Sequence, residues 1–331
     1  MHIETCGPDR FVAWDAFLDA HQRTPLFHSR QWLELLARHH SAALELGMFI
    51  DDAGDVAGLF PVFHRNYVLI RVFSSPYVVT DTPYLGPLMR DDVLTSDAWN
   101  AMVAYVKTLG MDFLRMFTTV DTRLSGVTGR HVGIARKTTH VLDLTQGLDA
   151  VWKGMEGRCR TAVRKAEKEG VRVTEATGQG FIDAYVDMLE AVYARQGLAS
   201  PNSRAFYSDM WRTFGGGRVV GLAASHEGRD IAGALLVMDK RDAYYISGAS
   251  REDGCNVSPN NILQWEAIRI AARQGIERYD FVGSDIPRLA RFKKSFGGEL
   301  MEYGCIEMAP SLLARVLRSV YPRLKRSVGR V

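Results

Sequence analysis

Apolar positions in the first part of the chain alternate between helical spacing and short strand-like runs. "FHSRQWLELLARHH" (27–40) sets Trp32, Leu35 and Leu36 on one face, with Ser29 where a helix takes its N-cap. The β-rich runs "ALELGMFI", "VAGLFPVFH" and "VLIRVFSS" follow, and the turn residues "DDAGD" separate the first two. "SDAWNAMVAYVKTLG" then reads as an amphipathic helix closed by Gly110, and "MDFLRMF" as a strand after it.

The same order returns further on. "GRVVGLAAS", the turn "HEGRD", "IAGALLVM" and "AYYISGAS" are consecutive strand patterns, followed by the helix "PNNILQWEAIRIAARQG" and the strand "IERYDFVG". "DAGDVAGLFPV" aligns with "HEGRDIAGALLV", and "AWNAMVAYVKTLGMDFLRM" with "LQWEAIRIAARQGIERYDF". Any β-β-helix-β unit shares this order, but Trp99 and Trp265 also stand at corresponding places, each about three turns before its closing glycine. We read this as a degenerate internal duplication. The expected units are 1–145, 146–308 and a basic tail, 309–331, with the boundary where "THVLDLTQGLDAVW" leaves a sheet and begins a helix.

Composition narrows the function classes. A chain of 331 residues, 47% hydrophobic and 24% charged, suits two soluble globular domains. A formal net charge of +3 gives no overall drive toward nucleic acid or membrane, and no DNA partner is expected. Cys6, Cys159, Cys255 and Cys305 lie far apart, which argues against a disulfide framework and a zinc site; no metal is expected. "MHIETCGPDRF" lacks the features of a secretory leader, and no run approaches the ~18 apolar residues of a membrane span. The expected location is the cytoplasm, or the inner face of the membrane by surface contact only.

"AVWKGMEGRCRTAVRKAEKEGVRV" (150–173) repeats Arg160, Arg164, Lys165 and Lys168 at helical spacing, with Gly170 as its C-cap. A solvated amphipathic helix explains the pattern. So does a surface that meets phosphate or carboxylate, because Arg160 and Arg164 lie one turn apart and guanidinium forks match such oxygens.

From this segment on, the chain resembles the Fem-type peptidyltransferases and their relatives in the Gcn5-related N-acyltransferase (GNAT) superfamily. The likeness runs through "RTAVRKAEKEGVRV", "MLEAVYARQGLASPNSRAFYSDMW", "GRDIAGALLV", "AYYISGAS", "NNILQWEAIRIAARQGIERYDFVG" and "LARFKKSFGGEL", and more faintly "FHSRQWLELLARHH". The resemblance implies an α/β (α+β) fold of two tandem GNAT-like domains, each a mixed, mostly antiparallel sheet flanked by helices. It implies transfer of an aminoacyl or acyl group to an amine, with aminoacyl-tRNA as donor, no bound cofactor, and a cell-wall, saccharide or lipid-linked precursor as acceptor. The long helical hairpin that some members carry has no counterpart here. The alternative donor is acyl-CoA, acting on an amino sugar or small amine. However, the link "REDGCNVSPNN" has one glycine, a proline and two acids where a pyrophosphate cradle is glycine-rich. A catalytically silent module that binds a saccharide or lipid-linked intermediate is the reading from another class.

Amide formation from an ester passes through an oxyanion, which a placed positive donor stabilises. The resemblance puts Lys293 of "RFKKSFGGEL" (291–300) in that role, with Phe292 and Phe296 excluding water around it. An ordinary pair of surface lysines beside a hairpin strand is the plainer reading. Asp280 or Asp285 of the "YDFVGSD" stretch would act as base or orient the amine. Tyr244, Tyr245 and Trp265 are candidates for substrate contact, and Arg195, with Arg160 and Arg164, for an acceptor phosphate or carboxylate. Asn260 and Asn261 are expected to cap the helix ahead of Trp265.

"FGGGRVV" precedes a strand instead of opening a helix, so it is a loop and not a nucleotide motif. Ser284 lacks a G-x-S-x-G context. The tail 311–331 carries basic residues and an apolar face suited to an anionic lipid surface, to tRNA phosphates, or to closing over the first domain.

Overall fold

The structure, a computed structural model, describes residues 1–316 apart from 24–25, 68, 78–79 and 254, and the side chain of Cys255. The tail beyond 316 lies outside the described residues. The first half runs β1 (His2–Thr5), α1 (Phe11–Ala20), α2 (Arg30–His40), β2 (Ala43–Ile50), β3 (Val56–Tyr67), β4 (Ile70–Ser75), β5 (Leu88–Met89), α3 (Ser96–Thr108), β6 (Phe113–Phe117) and β7 (Val132–Asp143). The second runs α4 (Leu148–Gly154), α5 (Gly157–Lys168), β8 (Arg172–Glu175), α6 (Gln179–Ala194), α7 (Arg204–Phe214), β9 (Val219–His226), β10 (Arg229–Asp239) and β11 (Asp242–Ser250). It ends with α8 (Pro259–Arg273), β12 (Arg278–Asp280), α9 (Pro287–Lys294) and β13 (Glu299–Met308).

All the strands join one sheet, in the order β1-β2-β3-β4-β6-β13-β7-β12-β11-β10-β9-β8, with β5 attached to β3. Read from either edge inward the pattern is the same, which is the duplication seen in the sequence. The pair β4–β6 is parallel, as is β11–β12, and the other neighbours are antiparallel. The centre is not a simple copy. β7 follows the first half's strands in sequence but pairs with β12 of the second half, while β13 pairs with β6 of the first. The two exchanged strands pair with each other along their length, from Glu299↔Val141 to Met308↔Val132. The sheet therefore runs without a break past position 145.

Three apolar clusters hold the layers. α3 covers the first half with Trp99, Met102 and Val106, and α4, α5 and α8 cover the second with Val151, Val163 and Ile268. The third cluster joins the halves: Trp14, Phe27, Trp32 and Tyr84 meet Tyr185, Phe206, Tyr207 and Leu235. Helix starts and stops follow the sequence signals in part. Ser29 caps α2, accepting from Trp32 N at 3.4 Å, and Gly170 takes the left-handed backbone (φ +82°) that ends α5. The basic segment is not one helix, because Met155 turns extended and buries its side chain between α4 and α5. Nor do Asn260 and Asn261 cap α8. The helix begins at Pro259, and their amides donate instead to Ser250 Oγ (3.3 Å) and Cys159 Sγ (3.5 Å).

Polar contacts also tie the halves. Arg278 holds Asp121 through both guanidinium nitrogens (2.8 and 2.7 Å) and Asp242 at 2.6 Å, while Arg23 bonds Asp242 and Glu277 at 2.8 Å each. Elsewhere, Asp81 accepts from Tyr207 Oη (2.6 Å) and Asn202 Nδ2 (3.0 Å). Burial pushes the Asp81 carboxyl up to about 6 against these two hydrogen bonds. A carboxyl raised in the folded state adds stability below its unfolded value near 3.8, and that contribution fades as pH rises through about 6. Asp81→Asn keeps an acceptor for both donors without the buried charge. It is expected to raise stability at pH 7 and flatten the pH dependence between 4 and 6, read by urea unfolding across that range; an unchanged pH profile would refute the assignment.

Candidate functional site

β11 and β12 run side by side for Asp242↔Arg278, Ala243↔Tyr279 and Tyr244↔Asp280, after which β12 stops and β11 continues to Ser250. The sheet opens there. The chain leaving Asp280 does not extend the ladder, because Val282 (φ +55°) and Gly283 (φ +68°) both adopt left-handed backbone. For a β-branched residue this conformation costs about 1–3 kcal/mol, so surrounding contacts must hold it. Two do. Val282 N donates to Asp280 Oδ1 at 2.7 Å, and the carbonyls of Val282 and Gly283 both accept from Lys293 Nζ.

Lys293 reaches this corner because α9 presents it inward. Its side chain is 7% exposed, while Arg291 and Lys294 on either side are exposed. The lysines thus stand in the last turn of a helix, and Lys293 is not the surface lysine of the plainer reading. Phe292 and Phe296 pack with ring centroids 5.3 Å apart, and Phe296 meets Phe281 at 5.5 Å, forming a dry wall below the lysine. The next residue, Gly297 (φ +89°), passes so close to α4 that a Cβ would lie 2.8 Å from Gly154 O, so only glycine fits. Burial pushes the Lys293 ammonium down to about 8, with Asp280 and Asp285 resisting. It is still mostly a cation at neutral pH. An ammonium has three N–H groups and the carbonyls take two, which leaves one for an incoming oxygen.

Asp280 is buried and accepts from Thr139 Oγ1 (2.6 Å), Tyr84 Oη (2.9 Å) and Val282 N. Burial raises its carboxyl above the usual range, and these bonds oppose the shift. Thr139 arrives on β7 and Tyr84 from a first-half loop, so the first half completes this site. On the other face of β7, His140 Nδ1 lies 2.7 Å from Ser284 Oγ. Burial and then the Lys293 and Lys294 charges lower its pKa, so the imidazole is neutral at pH 7. A groove of about 610 Å³ opens nearby, lined in part by Val141, Gly154, Gly297 and the acids Asp143, Glu277 and Glu299.

The other expected site residues are scattered. Asp285 is at the surface, paired with Lys137 at 3.0 Å. Arg160 bonds the carbonyls of Lys153 (3.0 Å) and Met155, bracing the α4–α5 corner, and Arg164 lies 5.4 Å over the Trp152 ring. Trp265 packs on Trp152 at 4.8 Å and is buried, so it is a core residue with almost no surface for a substrate. Tyr244 and Tyr245 take opposite faces, but neither reaches solvent freely because both faces of the sheet are covered. Tyr244 packs on Phe27 and Tyr84, and burial pushes Tyr245 up to about 12. Arg195 is exposed 3.5 Å from Ser250 O, at the open end of β11 and beside the start of α8. Sequence reasoning did not single out Tyr84, Thr139 or His140. Nothing local marks them, since the exchanged strand β7 brings in Thr139 and His140 and a distant loop brings in Tyr84.

Comparison with known proteins bears on the fold and on the second half of the sequence. A model of the "Acetyltransferase (GNAT) domain" family matches residues 154–294. The crystal structure of FemX superposes with a TM-score of 0.68 at 16% identity, covering 92% of this chain and 97% of that one. Residues 154–294 are thus similar to a GNAT domain, and the chain as a whole has the fold of FemX. A tandem GNAT protein from the clavulanic acid biosynthesis pathway superposes with a TM-score of 0.57 at 13% identity, covering 94% of this chain and all (100%) of that one. In sequence, the lipid II:glycine glycyltransferase of Staphylococcus saprophyticus is 31% identical over 122 residues, which is 33% of this chain. The matched stretch is 29% of that relative's own length, so the chain spans under a third of it. The residues matched by the family model contain β11, β12 and α9, and hence Asp280 and Lys293.

Proposed function

We propose that the chain transfers an aminoacyl group to an amine at the sheet opening beside Lys293, with aminoacyl-tRNA as donor and a lipid-linked or saccharide cell-wall precursor as acceptor. The observation that carries this reading is Lys293 itself: a buried cation, seated on two carbonyls, with one N–H unclaimed at the point where β11 and β12 part. In the proposed step the acceptor nitrogen attacks the ester carbonyl carbon. The carbonyl oxygen gains the negative charge and meets the remaining N–H of Lys293; the ester C–O bond then breaks, and the proton lost by the nitrogen ends on the departing tRNA hydroxyl. Asp280 acts as a positioning residue, since it fixes the Val282 backbone that seats the lysine. Arg195, beside the start of α8, is the group best placed for a phosphate or carboxylate. The similarity to a staphylococcal lipid II:glycine glycyltransferase supports the same reading.

An acyl-CoA donor is the second reading, favoured by the N-terminus of α8, which has no side-chain cap. Against it, Pro259 removes one first-turn N–H and Asp253 is paired with Arg229, so the link offers little to a pyrophosphate. Calorimetric titration with charged tRNA, CoA and acetyl-CoA separates the possibilities. Selective binding of charged tRNA is expected. Binding of CoA without tRNA would replace the donor, and silence from all three would favour a binding module over a transferase.

A further inference from the structure

α9 shows solvent two features that its buried lysine does not explain. Arg288, Arg291 and Lys294 recur at i, i+3 and form one exposed stripe. None of them forms an ion pair among the described residues, whereas Arg136 and Lys137 on neighbouring β7 are matched by Glu302 and Asp285. Next to the stripe stand bare aliphatic side chains: Ile286 is 58% exposed, Leu289 37% and Leu300 60%. Leu300 belongs to the same patch by register. It is the cross-strand partner of His140, whose ring bonds Ser284, two residues before Ile286.

We propose that this face of α9 docks the protein on an anionic lipid bilayer, with the cations against the headgroups and the aliphatic side chains in the interfacial layer. The charges alone would suit RNA phosphates equally. The aliphatic residues decide, because RNA surfaces are met by aromatic or guanidinium stacking and give Ile and Leu nothing to bury against. A bilayer interface takes both kinds of side chain at once. Docking there would bring the helix that carries Lys293 to the membrane surface. The surface is separate from the segment at 311–316. That segment follows the far end of β13, about 30 Å of strand away from α9 at ~3.3 Å per residue.

The inference leans on the proposed transfer reaction only for its use, a lipid-linked acceptor. Its vesicle assay contains neither donor nor acceptor, so a failure there leaves the transferase reading standing, and the reverse holds too. Full-length protein is co-sedimented with vesicles of phosphatidylcholine alone or mixed with phosphatidylglycerol. Binding only to the anionic vesicles is expected. Arg288→Gln, Arg291→Gln and Lys294→Gln together should weaken it about a hundredfold, three cations each being worth roughly 1 kcal/mol at such a surface. Ile286→Ser with Leu289→Ser should weaken it at least about tenfold, from the lost apolar burial. Thermal melts check that both variants remain folded. Equal binding to neutral vesicles, no binding to either kind, or unchanged binding by both variants would overturn the proposal. A charge variant that loses affinity for bulk tRNA but not for vesicles would also overturn it, and would make this an RNA surface.

Discussion

Lys293→Met is expected to lower the transfer rate constant by about 10²–10³, the cost of removing one oxyanion donor, while donor binding and the far-UV spectrum stay near wild type. Methionine fills much of the same space but has no N–H for the developing oxyanion or for the carbonyls of Val282 and Gly283. Lys293→Arg keeps the charge on a broader planar group that does not fit a seat made by two adjacent carbonyls, and little rescue is expected. The pH profile gives an independent check. Because burial sets this ammonium at about 8, the rate should fall as pH rises past that value and the cation is lost. The group's effect on stability has the opposite direction. Its pKa is lower folded than unfolded, where lysine titrates near 10.5, so the unfolded chain holds more protons between the two values. Stability therefore gains from this residue over the same range in which activity declines. Single-turnover transfer measured from pH 6 to 10, beside urea unfolding at the same points, tests both. A Lys293→Met enzyme within about threefold of wild type, well short of the loss expected for an oxyanion donor, would remove Lys293 from the chemistry.

Arg278→Met should destabilise the fold by about 3–5 kcal/mol, the usual result of removing one member of a buried ion network. Asp242, with 6% of its side chain exposed, would lose Arg278 and keep only Arg23, and Asp121 would lose both of its bonds. Burial alone would raise the Asp121 carboxyl, but the Arg278 hydrogen bonds and charge overcome this and hold it below the usual range. A depressed carboxyl stabilises the folded state above its unfolded pKa, and the contribution disappears as pH falls through the folded value. The variant should thus be weakened most at neutral pH and converge on wild type in strong acid. A neutral-pH loss under about 1 kcal/mol would mean that the network is solvated, as exposed pairs are.

Much of the fold was legible because its signals are local. Ser29 before an amphipathic run, Gly110, Gly170 and Gly275 after three others, and the turns at 51–55 and 226–230 each act within a few residues of where they stand. The duplication was legible for the same reason, since a repeated β-β-β-helix-β pattern survives wherever its pieces are placed. Asn260 and Asn261 misled because Pro259, ideal for the first helical position, starts α8 before them. Arg160 and Arg164 misled differently. Helical spacing put them on one face, but the corner at Met155 sets one against backbone carbonyls and the other over Trp152.

By itself the sequence determined the order and type of the repeated strands and helices, the doubled plan, and the basic cluster framed by phenylalanines at 291–296. These follow from periodicity, turn chemistry and composition, which need no knowledge of distant contacts. Only the tertiary structure decided how the cluster is placed. It turned Lys293 inward and left Arg288, Arg291 and Lys294 outward, and it exchanged β7 with β13 so that Thr139 stands against Asp280 and His140 against Ser284. The physical reason is that the pairing of β7 with β12 depends on which sheet edge is open when the halves meet. That is a property of two folded surfaces, and no short stretch of chain records it.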